Sequence, residues 1–254
     1  MKKTAIIKAS LASLVIGTGL FTSTAQASEI SLVRHTLGLD QKPKQTQQNT
    51  NVNKADREDK NVLLGYYTQQ TTELTNLTGY TKDSNKLEFV PKEGVGETLV
   101  TVSPNSFSKY KTDDNGNPGL DVFVVRENTS DRGTTESSIG GVTKTNTKSY
   151  KDPIKTPYIS VKTTENGVTK DESLNGINFN KEEVSLKEVD FKLRKLLIDQ
   201  KGLYKSQYSD GTIIVHLNNG GRNTFELHKK LQDNRMSDVI NSTDIQYIEV
   251  TLTK

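Results

Sequence analysis

Cysteine and tryptophan are absent from this 254-residue chain, and histidine occurs only at His35, His216 and His228. Without cysteine there is no disulfide scaffold and no thiol nucleophile, so the fold must rest on a buried apolar core. No two of the histidines have metal-pair spacing, which argues against a zinc site. Long apolar runs are missing too. The apolar stretch Leu11 to Phe21 is too short, and too rich in Ser, Thr and Gly, for a good membrane anchor, and no later segment approaches a span. Charge of one sign is not in excess: Lys2, Lys3 and Lys8 account for the whole formal net charge of +3. What remains is near neutral with both signs interspersed, which argues against nucleic acid as a partner. The GxSxG elbow, HExxH, the P-loop and the dinucleotide glycine fingerprint are all missing. An enzyme is therefore the weakest class, with no catalytic residue, cofactor or metal called for.

The amino terminus reads as a signal peptide over residues 1–27. Lys2, Lys3 and Lys8 form its charged region, Leu11 to Phe21 its apolar region, and Ala25-Gln26-Ala27 its cleavage site. The expectation is a secreted protein that is not inserted in a membrane. Residues 28–60 follow as a disordered polar leader, because Asp40 to Lys60 is Gln/Asn-rich and nearly free of apolar side chains. Roughly 190 residues remain, enough for one or two domains.

From Asn61 to about Lys151 the chain gives short strand-like runs broken by turn chemistry: Lys86 to Val90, Glu97 to Val102, and Leu120 to Val125 after an Asn-Gly-Asn-Pro-Gly turn. Five or so such strands suit a small barrel. Two prolines between Asp152 and Pro157 separate the halves, giving domains at 61–152 and 153–254. In the second half, Tyr158 to Thr163 and Asn175 to Phe179 read as strands leading into a helix. Thr212 to Leu217 and Asn223 to Leu227 flank the hairpin turn Asn218-Asn219-Gly220-Gly221. Lys229 to Ile240 reads as a loop with a short helix, and Ile245 to Leu252 as a closing strand. Periodicity alone gives an α+β chain, with two domains as the natural division.

The helix is the best-specified element. Ser185 is placed to cap it, and Glu188 to reach back to the cap's own amide. Val184 and Val189 have the spacing of a hydrophobic staple, and Gly202 is placed to stop the helix in a left-handed turn. Leu186, Val189, Leu193, Leu196 and Leu197 form a core-facing stripe. Asp190 and Arg194, four apart, read as a helix-stabilising pair. The adjacent carboxylates Glu182-Glu183 and Asp113-Asp114 read as solvated surface.

The same stretch resembles the second signature of the staphylococcal and streptococcal superantigen family at Lys181, Val184, Val189-Asp190, Arg194, Leu197 and Leu203-Tyr204. Gly140-Gly141-Val142-Thr143 resembles the family's first signature, with Ile139 standing where Tyr is usual and the downstream Asn displaced to Asn146. This resemblance implies an N-terminal OB-fold β-barrel followed by a C-terminal β-grasp domain. Thr224 to Met236, TFELHKKLQDNRM, further resembles the glycan site of a subset of staphylococcal superantigen-like proteins, which bind sialylated lactosamines such as sialyl Lewis X. Arg222 and Asn223, just before it, are less typical of that pattern.

The implied glycan-binding residues are Thr224, Glu226, Lys229, Gln232 and Arg235, and their chemistry suits the task. A guanidinium such as Arg235 can hold a sialic carboxylate bidentately, with Lys229 as a second cation. Glu226, acceptor-only when ionised, suits galactose hydroxyls, while Gln232 can donate and accept. On a strand Thr224 and Glu226 share one face, leaving Phe225 and Leu227 for the core together with Leu231 and Met236. Ordinary surface residues on a hairpin would look much the same by composition, and the matched order of residue types is what favours the site.

The expected function is that of a secreted immune-evasion protein whose partners are sialylated host glycoproteins on leukocytes. The alternative is a protein-interaction module directed at a Toll-like receptor, an antibody or a complement component. A true superantigen ranks last, and a homodimer is a further partner to consider.

Overall fold

The computed structural model describes residues 56–91, 96–113, 115–127, 135–165 and 167–254. The signal peptide reading at 1–27 and most of the polar leader at 28–60 lie outside the described residues.

The first described element is a helix, α1 (Lys60–Tyr67), capped by the Asp59 carboxylate, which accepts from the Asn61 N–H at 2.7 Å. The sequence reading had only strands here. A helix of eight residues carrying just Leu63 and Tyr67 as buried positions shows too little periodicity to be recognised.

The barrel follows as β1 (Thr72–Asp83), β2 (Lys86–Phe89), β3 (Thr98–Thr101), α2 (Pro104–Tyr110), β4 (Asn117–Val124), β5 (Glu136–Ile139) and β6 (Val142–Lys144). The strand order is β5-β3-β2-β1-β4-β6, and β5 pairs parallel with β3. The Glu127 N–H donates to Ser137 O at 3.0 Å just beyond β4, which brings the β5 edge round to close the sheet. Leu87, Phe89, Val100, Leu120, Val122 and Val124 fill the interior. The expected strands at 86, 97 and 120 are all present. β1 escaped notice because its register shifts twice, between Leu74 and Leu77 and between Leu77 and Gly79, which breaks the alternation of side chains.

The second half comprises β7 (Tyr158–Glu165), β8 (Val168–Leu174), β9 (Glu183–Ser185), α3 (Leu186–Lys201), β10 (Asp210–Leu217), β11 (Arg222–Glu226), a 3₁₀ turn (Arg235–Ser237), β12 (Val239–Asn241) and β13 (Ile245–Thr253). Its five-stranded sheet runs β11-β10-β13-β7-β8, with β13 and β7 parallel, and α3 packs into the same core as the sheet's inner face. This is the β-grasp arrangement, so the chain is α+β, with an OB-fold barrel preceding a β-grasp domain. Among the described residues no helix is long and apolar enough to cross a membrane.

The expected strand at Asn175 to Phe179 is corrected. Only Phe179 bridges, to Lys155, because Gly176 at φ 127° takes the chain out of the extended region. On its other side from β13, β7 pairs with β8, whose side chains are exposed from Val168 to Ser173 and so carry no burial pattern to read.

Helix α3 starts and stops where its sequence says. Ser185 Oγ accepts from the Glu188 N–H at 3.1 Å, and Gly202 adopts φ 68°. One detail differs: the Glu188 carboxylate lies between Lys181 (2.5 Å) and Lys192 (2.6 Å), where it is held by two ammonium groups. The buried face is also wider than the predicted stripe. Phe191 and Ile198 join it while Leu196 is only half-buried, and Phe191 packs against Tyr66 and Tyr67 of α1 and Phe123 of β4. Each such fully buried side chain contributes about 1.5–3 kcal/mol.

Both glycines of the first signature serve the seam between the domains. Gly140 (φ 60°) and Gly141 (φ 83°) lie against the backbone of Met236 and Phe123, and a Cβ at Gly140 would stand 2.2 Å from Met236 O. Only glycine fits such an approach in that conformation. The Gly141 N–H then donates to Met236 O at 3.0 Å, fixing the loop that carries Arg235. Glu182, expected on a solvated face, also bridges this junction by accepting from the Thr147 N–H (3.1 Å) and hydroxyl (2.7 Å) and the Tyr150 hydroxyl (2.5 Å).

Candidate functional site: the outer edge of β11

Strand β11 is an edge strand, paired only with β10 through Ile213↔Phe225, Ile214↔Thr224 and Thr212↔Glu226. Phe225 is buried in the core while Thr224 and Glu226 are exposed on the opposite face, as alternation requires. The next segment returns alongside this edge. Its Leu227, His228, Leu231 and Met236 are buried, while Gln232, Asp233 and Asn234 are exposed and Lys229, Lys230 and Arg235 are half-buried.

Two arginines meet the outward carbonyls of β11. Arg235 donates from Nη1 to Thr224 O at 2.9 Å and to Gln232 Oε1 at 3.2 Å, with its guanidinium 5.6 Å from the centre of the Phe225 ring. From inside, Arg194 donates to Glu226 O at 3.0 Å and Leu227 O at 3.2 Å. The N–H and C=O of a strand residue point to the same side, so the N–H groups of Thr224 and Glu226 also face the open edge. With their carbonyls engaged, that edge presents mainly donors.

Arg194 is completely buried. It pairs with Asp190 at 2.7 Å, bonds the Tyr204 hydroxyl at 2.6 Å, and lies 4.5 Å from the Tyr67 ring centre. Tyr67 in turn donates to Asp190 at 2.7 Å and accepts from the Leu231 N–H at 3.3 Å. Burial alone would favour neutral Arg194. Asp190, Tyr67 and Tyr204 more than offset that, and its pKa stands above the ordinary arginine range. Burial pushes the Tyr204 hydroxyl up to about 12. The Asp190–Arg194 pair therefore does more than support its helix, since it ties the signature helix to the backbone of the candidate site. Spacing revealed the pair but not its partners some 32 positions away.

The five expected residues are distributed as follows. Thr224, Gln232 and Arg235 form one group at the strand edge. Glu226 and Lys229 form a second, joined at 2.7 Å. The two groups are linked through β11 itself, since Thr224 and Glu226 are next neighbours on one face. Lys229 is not the free cation that the sequence suggested. Asp56 also holds it, at 2.6 Å, and the Asp56 and Glu226 carboxylates raise its pKa. Among the five residues Arg235 is the cation without an ion pair among the described residues, so its charge is available to an incoming anion.

Sequence reasoning passed over His228 and Lys230. His228 is buried, with Nδ1 3.2 Å from Asp210. Lys230 donates to Glu127 at 2.6 Å and lies 4.4 Å from the Tyr66 ring centre. Glu127 also meets Lys187 at 3.4 Å and accepts from the Tyr66 hydroxyl at 2.8 Å. Burial, opposed by Glu127, pushes the Lys187 ammonium down to about 8. The loop after β11 is thus moored to the barrel through Glu127. Cavities of about 220 Å³, beside Tyr110 and Asp238, and about 300 Å³, beside Thr101 and Glu127, have no β11 residue in their lining. Among the described residues no cluster of three or more His, Asp or Glu is arranged for a metal ion.

Comparison with known proteins gives two domain matches, to the staphylococcal superantigen-like OB-fold domain over residues 61–146 and to the staphylococcal/streptococcal toxin β-grasp domain over 157–252. Superantigen-like protein 11 of Staphylococcus aureus strain Newman is 39% identical over 252 residues, covering 99% of this chain and all of that protein. The crystal structure of staphylococcal superantigen-like protein SSL5 complexed with sialyl Lewis X superposes with a TM-score of 0.69 at 38% identity, over 76% of this chain and all of that one. A Staphylococcus aureus superantigen-like protein in complex with 3-N-acetylneuraminyl-N-acetyllactosamine gives 0.67 at 32% identity, over 77% and 99% of the two chains.

Proposed function

Because this chain belongs to the staphylococcal superantigen-like family, we propose that it binds sialylated lactosamine glycans of the sialyl Lewis X type along the outer edge of β11. The observation that carries the proposal is the Arg235 guanidinium, unpaired by any carboxylate among the described residues and beside the outward N–H groups of Thr224 and Glu226. A sialic acid carboxylate is the anion whose geometry suits a guanidinium fork flanked by backbone donors. Glu226, exposed and acceptor-only when ionised, is placed for sugar hydroxyls, and the exposed Gln232 amide offers both donors and acceptors. The relatives crystallised with sialyl Lewis X and with a sialylated lactosamine support the ligand class.

In this reading residues 1–27 direct secretion, and the protein acts outside the cell on sialylated glycoproteins of host leukocytes as an agent of immune evasion. Glycan-array binding of the mature chain, read beside Arg235→Ala and Thr224→Pro, tests it. Arg235→Ala removes a charge-assisted contact worth about 1.5–3 kcal/mol, a loss of roughly 10- to 100-fold. Thr224→Pro deletes the outward N–H. Binding to leukocyte glycoproteins that survives sialidase treatment and both substitutions would replace this reading with one in which a protein surface is recognised.

A further inference from the structure

The end of the polar leader is not idle. Residues 56–59 lie against the candidate site, tied at three successive positions. Asp56 Oδ2 stands 2.6 Å from Lys229 Nζ, Arg57 pairs with Asp210, and the Glu58 N–H donates to His228 O at 3.0 Å. Asp59 then caps α1, whose Leu63 and Tyr67 are buried in the β-grasp core. The strap is therefore held from behind by an anchored helix, which lowers the entropic cost of keeping Asp56 on its partner.

Its chemistry matches that of the proposed ligand. Asp56 presents a carboxylate to a site cation, as a sialic acid would. The Lys229 ammonium, through its hydrogen bond, holds the Asp56 carboxyl below the usual carboxylate range, so the strap is charged at neutral pH. The Asp56 side chain is 61% exposed and that of Lys229 only 17% exposed, so the carboxylate can leave while the ammonium stays in place.

We propose that residues 56–59 form a self-masking strap, in which the Asp56 carboxylate, beside that of Glu226, holds Lys229 and competes for this second cation with an acidic glycan seated at Arg235. The inference rests on reading the β11 edge as a glycan site. Displacing Asp56 leaves Lys229 paired with Glu226 alone and releases part of its charge to the glycan, so the strap sets affinity without abolishing it. Exposed ion pairs are weak, and the masking amounts to a factor of about two to five.

The test uses the mature chain carrying Asp56→Asn, which keeps the side-chain shape and removes the charge. Affinity for immobilised sialyl Lewis X is measured beside the wild type and Arg235→Ala, together with the acylation rate of Lys229 followed by mass spectrometry. The expected result is binding about two- to fivefold tighter than wild type, most visibly at low salt, with faster acylation of Lys229. If the wild type binds through Arg235 while Asp56→Asn binds equally or more weakly, competition by the strap is overturned. If no variant binds glycan but Lys229 acylation still rises, the glycan reading alone fails and the masking of Lys229 stands. An unchanged acylation rate overturns the masking whatever the glycan does.

Discussion

The five-stranded sheet has two free edges, β11 and β8, and they are built in opposite ways. On β11, Arg235 takes the carbonyl of Thr224 and the buried Arg194 takes that of Glu226. On β8 no side chain among the described residues donates to the backbone of Val168 to Leu174. Its contacts are side-chain pairs, Asp171 with Ser160 at 2.7 Å and Glu172 with Lys201 at 2.6 Å. An edge whose carbonyls are engaged by guanidinium groups becomes a strip of donors that favours an anion. An edge covered in mixed charge, as β8 is, resists pairing with other strands. What separates them is the second signature, which plants Arg194 beneath one edge only.

Removing that anchor should have the largest effect. Arg194→Ala leaves Asp190 buried without its partner, and a cost of about 3–5 kcal/mol is expected in urea unfolding, with loss of order along β11. If stability hardly changed, the buried pair could not be what holds the edge.

A smaller, pH-dependent effect should come from the mooring of the loop after β11. Lys187 titrates near 8 in the folded protein and near 10.5 when unfolded, so between these values the unfolded chain holds a proton that the folded chain has released. Stability from this group therefore rises with pH across that window. Between pH 8 and 9.5 the wild type should gain about 1–2 kcal/mol relative to Lys187→Met, as compared by urea unfolding at each pH. Parallel curves for the two proteins would remove Lys187 from the account.

At the other edge the expectation is near silence. Lys170→Ala on β8 alters an exposed side chain and should shift stability by no more than about 0.5 kcal/mol, with glycan affinity unchanged. A measurable loss of affinity would mean that the two edges do not differ in the way described.

How much of this was legible in the sequence followed the range of each signal. Helix α3 announced itself through Ser185 and Gly202, and the β10–β11 hairpin through Asn219-Gly220-Gly221, because caps and turns are local chemistry. Strand β8 was invisible because almost nothing on it is buried, and β1 because its bulges break the alternation. In the candidate site, residue types showed that Arg235 could lie near Thr224, but not that it would reach the backbone carbonyl. Nor could they show that Asp56, 173 positions away, neutralises Lys229. Long-range pairing of charges leaves no periodic mark on a chain.

The most direct test of the two-edge account is to follow backbone amides by NMR while titrating a sialylated lactosamine into the mature protein. The account predicts saturable shifts at the Thr224 and Glu226 amides, and none at Thr169 or Lys170. Shifts confined to β8 or to the barrel, with Thr224 unmoved, would contradict it.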